Sequence, residues 1–208
     1  MPLDLWLTFV AASILLLLIP GPTVLLVLSY ALSKGRSVAL ASAAGVALGD
    51  FLAMSASLLG LGALVLASAT LFTTLKWIGA AYLVWLGFRL LRSAPADGLA
   101  TASICEVSAR GVFAHAASVT ALNPKSIAFF IAFVPQFLSP DAPLVPQFAI
   151  LVATFVGLAA MNALVYALVA DRLRRRIGKP RVISALTRAG GLALVCMGVF
   201  TATLRRAT

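Results

Sequence analysis

Long stretches of this chain contain almost no charged residues. Leu5–Ser33 and Ala142–Ala170 contain none, and Ser37–Leu75 is interrupted only by Asp50. A helix that crosses a bilayer needs about 20 mostly apolar residues, so each stretch is long enough to span a membrane. The composition agrees, because 62% of the residues are hydrophobic and 11% are charged, whereas soluble domains average roughly 45–50% apolar and about 25% charged residues. The pattern excludes a large soluble domain and predicts a polytopic membrane protein of the all-α class.

The apolar segments predict six transmembrane helices, near residues 5–31, 38–66, 70–91, 111–138, 145–170 and 183–204. No Lys or Arg precedes the first segment and Asp4 lies at its start, so we expect a retained span rather than a cleaved signal peptide. The longest polar stretch divides the chain into a three-helix unit at 1–92, a linker at 93–110 and a second three-helix unit at 111–208. Because three is odd, a repeat of the first unit must be inverted in the second, which is a recurring plan of transporters.

Basic residues lie mainly on one side of these segments. Twelve of the 16 lysines and arginines fall in the loops after the first, third and fifth segments or in the helix ends beside those loops. Cytoplasmic loops are enriched in Lys and Arg, so we expect these loops in the cytoplasm and both termini outside a bacterial inner membrane. This placement also accounts for the net charge of +10 through membrane orientation, and we expect no nucleic-acid partner.

Residues that could hold a metal are scarce. The two cysteines, Cys105 and Cys196, are far apart in the sequence, and His115 is the single histidine. One histidine makes neither a metal site nor a catalytic dyad. We therefore expect no metal, no cofactor and no enzymatic activity, and we take His115 as incidental.

Prolines interrupt two predicted spans at matching positions, since each break falls in the first span of its half. Proline is tolerated at the first position of a helix, where its missing N–H would not be used. Each break therefore predicts the start of a half-helix, with Gly21 and Asn123 as caps. Such an N-terminus offers backbone N–H groups and the positive end of the helix dipole to a substrate carboxylate; a kink that only improves packing is the alternative. The expected substrate-binding residues are Pro20, Gly21, Pro22, Thr23, Asn123, Pro124 and Lys125.

Asp50 is the one carboxylate well inside a predicted span. A charged residue at the membrane centre costs at least about 2.5–3.5 kcal/mol and marks a functional site by default. We expect Asp50 to bind a proton or the ammonium group of a substrate. Lys125 is the one cation at comparable depth, and it could pair with Asp50 or extend toward an interface. A structural ion pair or a helix–helix hydrogen bond is the alternative role for Asp50.

Two further residues are secondary candidates. Gly49 belongs to a stripe of small residues at four-residue spacing beside Asp50. Such a stripe lets another helix approach closely and predicts either a sliding surface or plain tight packing. Asn162 occupies roughly the place in the second half that Asp50 has in the first, which supports the repeat.

Several longer motifs occur in a characteristic order along the chain: Pro20–Arg36, Gly45–Asp50, Leu75–Ser93 and Asn123–Phe137, followed by a basic loop and a last span with Gly190, Gly191 and Gly198. In these stretches the sequence resembles the LysE/RhtB family of amino-acid exporters. The resemblance covers nearly the whole chain. It implies a six-helix exporter that moves amino acids or close derivatives outward in exchange for protons.

Two positions depart from the family's pattern. The family tends to have a glycine seven residues before the asparagine of the NPK motif and a polar amide three residues before it. Here these positions are Ala116 and Thr120. If they shape the site, the substrate differs from that of better-known members, so Thr120 is also a secondary candidate.

Three alternatives to an amino-acid exporter remain. A metal-ion exporter would need several intramembrane acids, histidines or cysteines, and this chain has one acid at depth. A membrane enzyme would need a nucleophile–base pair, which the single histidine does not provide. A non-transporting scaffold would leave Asp50 and the paired breaks unexplained. The sequence leaves the substrate, the coupling ion and the oligomeric state open, a homo-oligomer included.

Overall fold

The computed structural model describes residues 1–19, 21–34, 38–67, 69–92, 108–139, 142–170 and 180–203. Helices account for the regular structure of these residues, and no strand occurs among them. In chain order the helices are α1 (Leu3–Leu18), α2 (Pro22–Lys34), α3 (Ala39–Ala67), α4 (Ala69–Arg92), α5 (Ala109–Ala121), α6 (Pro124–Ala132), α7 (Leu144–Leu168) and α8 (Pro180–Thr203), with a 3-10 turn at Val134–Phe137 after α6. The all-α membrane class predicted from the sequence is confirmed.

Both predicted breaks divide a span into two helices. The axes of α1 and α2 meet at 59°, and those of α5 and the α6 segment meet at 45°. The carbonyl of Gly21 accepts the first helical hydrogen bond of α2, from Leu25 N at 3.0 Å. The carbonyl of Asn123 does the same for α6, from Ile127 N at 3.0 Å. Gly21 and Asn123 therefore occupy the cap positions; Pro20 lies outside the described residues.

The number of spans follows from helix length and composition only in part. Within the described ranges, Ala39–Gly62 of α3 and Leu144–Leu168 of α7 are long and apolar enough to cross a membrane. Each bent pair passes the same test when its two helices are taken together, which gives up to four spans if each pair is one span. The apolar part of α8, Thr187–Thr203, is shorter, and the six-span repeat stays a prediction. The linker 93–107 and the basic loop 171–179 lie outside the described residues.

Close helix contacts form where glycines face a neighbouring backbone. A Cβ at Gly45 would lie 2.4 Å from the Phe113 carbonyl oxygen of α5, and one at Gly49 would lie 2.6 Å from the Ala117 carbonyl oxygen. Gly87 of α4 meets α8 in the same way. The small-residue stripe of α3 is thus a tight packing surface for α5, as small residues allow in membranes.

Equivalent helices of the two predicted halves pack on each other. The third helix, α3, packs against α7, and α4 packs along α8. Between α1, α6 and α7 the core is filled by buried rings that contact one another, which we call the phenylalanine cluster: Phe9, Phe129, Phe130, Phe133, Phe137 and Phe155.

Candidate functional site

A small cavity lies where the two breaks meet. It is bounded by the end of α1, the start of α2, the middle of α3, the start of α6 and the second half of α7. Its polar wall includes Thr23, Asp50, Asn123, Lys125, Ser126 and Asn162. The volume is about 30 Å³, enough for roughly two water molecules. An amino acid therefore fits only if the surrounding helices move apart.

Hydrogen bonds between side chains connect the two breaks directly. Asn123 Nδ2 donates to Thr23 Oγ1 at 3.2 Å, and Thr23 Oγ1 also lies 3.3 Å from Thr120 Oγ1. The Asn123 Oδ1 atom accepts from the backbone N–H of Lys125 at 3.1 Å, which is the side-chain cap of α6. The amide thus caps one half-helix and binds the first turn of the other. This places the N-termini of α2 and α6 side by side at the cavity.

Side chains from the second half of the chain hold the C-terminal end of α1. The last carbonyls of a helix have no partner within it. Here Lys125 Nζ donates to the carbonyl oxygens of Leu16 at 3.1 Å and Ile19 at 3.0 Å. Asn162 Nδ2 donates to the Leu17 carbonyl oxygen at 3.2 Å. A cation at this end also faces the negative end of the helix dipole.

Asp50 is buried, with 2% of its surface exposed, and its Oδ1 atom has no hydrogen-bond partner. A buried carboxylate oxygen is costly to leave unpaired. Lys125 lines the same cavity, but its ammonium group donates to α1. Asp50 therefore lines the cavity and carries one carboxylate oxygen that no described side chain or backbone group satisfies.

The remaining residues predicted for the site contribute to helix starts and close packing. Gly21 gives room to Lys125, because a Cβ there would lie 3.3 Å from Nζ. Pro22 and Pro124 are the first residues of α2 and α6. Gly49 packs on α5, where its Cβ position lies 2.7 Å from Thr120 Cβ.

Sequence reasoning missed Tyr166, which lines the cavity. It lies four residues after Asn162, on the same helical face as Ala159 and Ala163, which also line the cavity. The four-residue spacing from a polar residue inside a span was the signal in the sequence that could have placed Tyr166 at the cavity.

A second missed contact joins the two halves. Tyr30 Oη lies 2.7 Å from His115 Nδ1, and the two rings meet edge to face at 5.9 Å. Tyr30 is buried and lies on α2, whereas His115 lies on α5. The expectation that His115 is incidental therefore missed a hydrogen bond between the halves.

The broken helices, the shared cavity and the intramembrane carboxylate define a membrane transporter of the discontinuous-helix type. Within the described ranges, no group of three or more His, Cys, Asp or Glu side chains is placed to hold a metal ion. The LysE type translocator family matches residues 14–205, and the chain belongs to this family.

Individual relatives match over long stretches. A homoserine/homoserine lactone efflux protein of Salmonella typhimurium is 35% identical over 208 residues, covering 100% of both chains. An uncharacterised membrane protein of Vibrio cholerae is 34% identical over 205 residues, 99% of this chain and 100% of that one. A leucine efflux protein of Klebsiella pneumoniae is 31% identical over 139 residues, 66% of this chain and 65% of that one. No solved structure matches the chain.

Proposed function

We propose that this protein is a secondary exporter of amino acids or close derivatives with uncharged side chains. The observation that carries the proposal is the cavity at the junction of the two breaks, whose lining includes one carboxylate and one ammonium group, Asp50 and Lys125. These two charges match the zwitterion that neutral amino acids share. The names of the relatives support the same class, since homoserine and leucine carry no side-chain charge.

The substrate carboxylate binds at the paired helix N-termini. The first N–H groups of a helix are not used within it, and the helix dipole favours an anion there. Thr23 and Val24 of α2 and Ser126 of α6 occupy these first turns and line the cavity. Asn123 keeps the two turns adjacent through its bond to Thr23.

The substrate ammonium binds Asp50. Asp50 lines the cavity and its Oδ1 atom has no hydrogen-bond partner, and a hydrogen bond to a charged group is stronger than one between neutral groups. A proton and the substrate ammonium compete for this carboxylate. Because one excludes the other, efflux of substrate is coupled to entry of protons without ATP.

The architecture that goes with this function is two inverted three-helix units, 1–92 and 111–208, joined by the linker 93–110. It is supported by the matching breaks and by the packing of α3 on α7 and of α4 on α8. We place the protein in the bacterial inner membrane with both termini outside, because the basic residues concentrate in the loops of the opposite side.

Efflux from preloaded vesicles tests the proposal. Purified protein is reconstituted with labelled homoserine, homoserine lactone, leucine, lysine or glutamate, with and without an imposed proton gradient. We expect gradient-dependent efflux of homoserine, leucine or both, and none of lysine or glutamate. Homoserine lactone, which has no free carboxylate, tests whether the carboxylate is required. Efflux of only the charged amino acids contradicts the substrate class, and efflux unaffected by the gradient contradicts proton exchange. No efflux of any compound by folded protein favours the alternative, an exporter of metal ions or another small solute.

A further inference from the structure

The cavity lies at the two breaks, and the phenylalanine cluster lies beside it, toward the first half of α1 and the end of α6. Along α7, Phe155 comes before the cavity-lining residues 159–166, and along α6, Phe129 comes after Asn123 and Lys125. The ring centroids of Phe9 and Phe137 are 5.3 Å apart, and those of Phe129 and Phe155 are 5.9 Å apart. No ring of the cluster is more than 5% exposed. These rings therefore fill the space between α1, α6 and α7 beside the cavity.

Phe9 is the residue of α1 that belongs to the phenylalanine cluster. It lies two helical turns before Leu16, about 10 Å along the axis. The other end of α1 is separated from α2 by the break, and Lys125 and Asn162 hold its last carbonyls. Since α1 is a short rod, a movement of its held end also displaces Phe9.

Lys125 can exchange its partners at the cavity. Its ammonium group is on a flexible four-carbon stem, and it belongs to the first turn of α6, where an anion is favoured. A carboxylate is a stronger acceptor for an ammonium group than a neutral carbonyl oxygen is. A substrate carboxylate at this turn therefore competes with Leu16 and Ile19 for Lys125 Nζ.

We propose that Lys125 couples substrate binding to the opening of the phenylalanine cluster. Its ammonium group holds the C-terminal end of α1, as seen here. When the group turns to a substrate carboxylate, this end of α1 loses two of its three side-chain bonds and keeps the one from Asn162 to the Leu17 carbonyl oxygen. The loosened helix then tilts and withdraws Phe9 from the rings of α6 and the 3-10 turn. The part played by the carboxylate rests on the proposed function, whereas the holding of α1 by Lys125 does not.

Cysteine accessibility tests this role. In a chain with Cys105 and Cys196 replaced by serine, Ala163→Cys places one thiol at the cavity. A membrane-impermeant maleimide is applied from each face of oriented vesicles, with and without homoserine or leucine. We expect the parent thiol to react little from the phenylalanine-cluster side, and added homoserine or leucine to raise its reaction from that side.

Substitutions distinguish the arrangement in which Lys125 binds the end of α1 from the arrangement in which it does not. Lys125→Met removes the ammonium group and keeps most of the stem, so we expect the reaction from the cluster side to rise about tenfold and to need no added amino acid. Lys125→Arg retains donors for the α1 carbonyls, so we expect its thiol to react from the cluster side almost as little as the parent's does. Phe9→Ala leaves the cavity side chains in place and is expected to open the cluster side as well. Phe88→Ala, at a half-exposed phenylalanine of α4, is the matched control and should change nothing.

The outcomes distinguish the holding of α1 by Lys125 from its release by a substrate carboxylate. If Lys125→Met and Phe9→Ala both react as little from the cluster side as the parent does, the role of Lys125 is overturned. If Lys125→Met fails to fold, Phe9→Ala together with the effect of added amino acid on the parent still decides whether the cluster is the barrier. If Lys125→Met opens the cluster side but neither amino acid affects the parent thiol, the holding of α1 stands and the carboxylate-driven release is rejected.

Discussion

Asn123 Nδ2 and Thr23 Oγ1 are 3.2 Å apart and form a hydrogen bond, although the residues are separated by 100 positions in the chain. The bond joins the first turns of the two half-helices that follow the breaks. Because each turn is also a helix N-terminus, the contact brings two positive dipole ends together at one cavity. Such an arrangement is unfavourable without an anion or a hydrogen-bonding network beside it, and the Thr23–Asn123–Thr120 network supplies the latter.

Asp50→Asn should abolish gradient-dependent efflux while the protein still folds. The substitution preserves the shape of the side chain and removes the charge that binds a proton or the substrate ammonium. We expect a fall of at least about tenfold in efflux from reconstituted vesicles. Asp4→Asn is the matched control, because Asp4 is an exposed acid in the first turn of α1. Unchanged efflux by Asp50→Asn, at normal protein yield, would remove the role assigned to this carboxylate.

Gly49→Ala should destabilise the packing of α3 on α5. The new Cβ would lie 2.6 Å from the Ala117 carbonyl oxygen and 2.7 Å from Thr120 Cβ, so the helices must separate, at a cost of about 1–3 kcal/mol. We expect a lower unfolding temperature in detergent. Gly60→Ala tests the same change on the same helix where nothing lies within 4 Å, and it should leave that temperature unchanged or raise it. Equal behaviour of the two variants would show that the close approach of α3 and α5 is wrong.

Thr23→Val and Asn123→Ala should be energetically coupled. Each removes one partner of the bond between the breaks, so the double variant should lose less stability than the sum of the single ones, by about 0.5–1.5 kcal/mol. The cycle is measured by thermal unfolding in detergent. A second cycle pairs Asn123→Ala with Thr8→Val, whose hydroxyl bonds the Asp4 carbonyl oxygen within α1, and it should be additive. Additivity in the first cycle as well would mean that the observed contact contributes nothing.

Tyr30→Phe should weaken the connection between α2 and α5. It removes the hydroxyl that lies 2.7 Å from His115 Nδ1 and keeps the buried ring, so we expect a loss of about 0.5–1.5 kcal/mol of stability. His115→Ala should remove the benefit of the hydroxyl, so that Tyr30→Phe has a smaller effect in that background. Tyr82→Phe, at a partly buried tyrosine beside Trp85, serves as the control. The hypothesis fails if Tyr30→Phe has the same effect with and without His115.

Part of the candidate site could be predicted from the sequence because its signals are local. Proline cannot continue a helix, so the breaks at Gly21–Pro22 and Asn123–Pro124 can be predicted without knowing any tertiary contact. Asp50 and Lys125 stand out because a charge inside an apolar run is rare and costly. Both residues line the cavity.

The hydrogen-bond partners of these residues could not be predicted from the sequence. The sequence left Lys125 to pair with Asp50 or to reach an interface, and the structure shows it on the carbonyls of Leu16 and Ile19. Those carbonyls lack the usual helical partner four residues on because α1 ends there, although Leu16 also accepts from the backbone N–H of Ile19. Which distant side chain reaches them depends on how the second half packs. Tyr166 and the phenylalanine cluster were missed for a related reason. In a membrane helix the lipid-facing and core-facing sides are both apolar, so hydrophobic periodicity does not separate them.

The sequence by itself determined the membrane class, the positions of the helices and their breaks, and the two intramembrane charges, since hydrophobicity, proline geometry and the cost of a buried charge act locally along the chain. Only the tertiary structure decided that the two breaks share one cavity, that Lys125 and Asn162 bind the last carbonyls of α1, and that six phenylalanine rings pack together between α1, α6 and α7. These features depend on contacts between residues about 100 or more positions apart, such as Thr23 with Asn123 and Leu16 with Lys125. Packing of the two halves against each other selects those contacts.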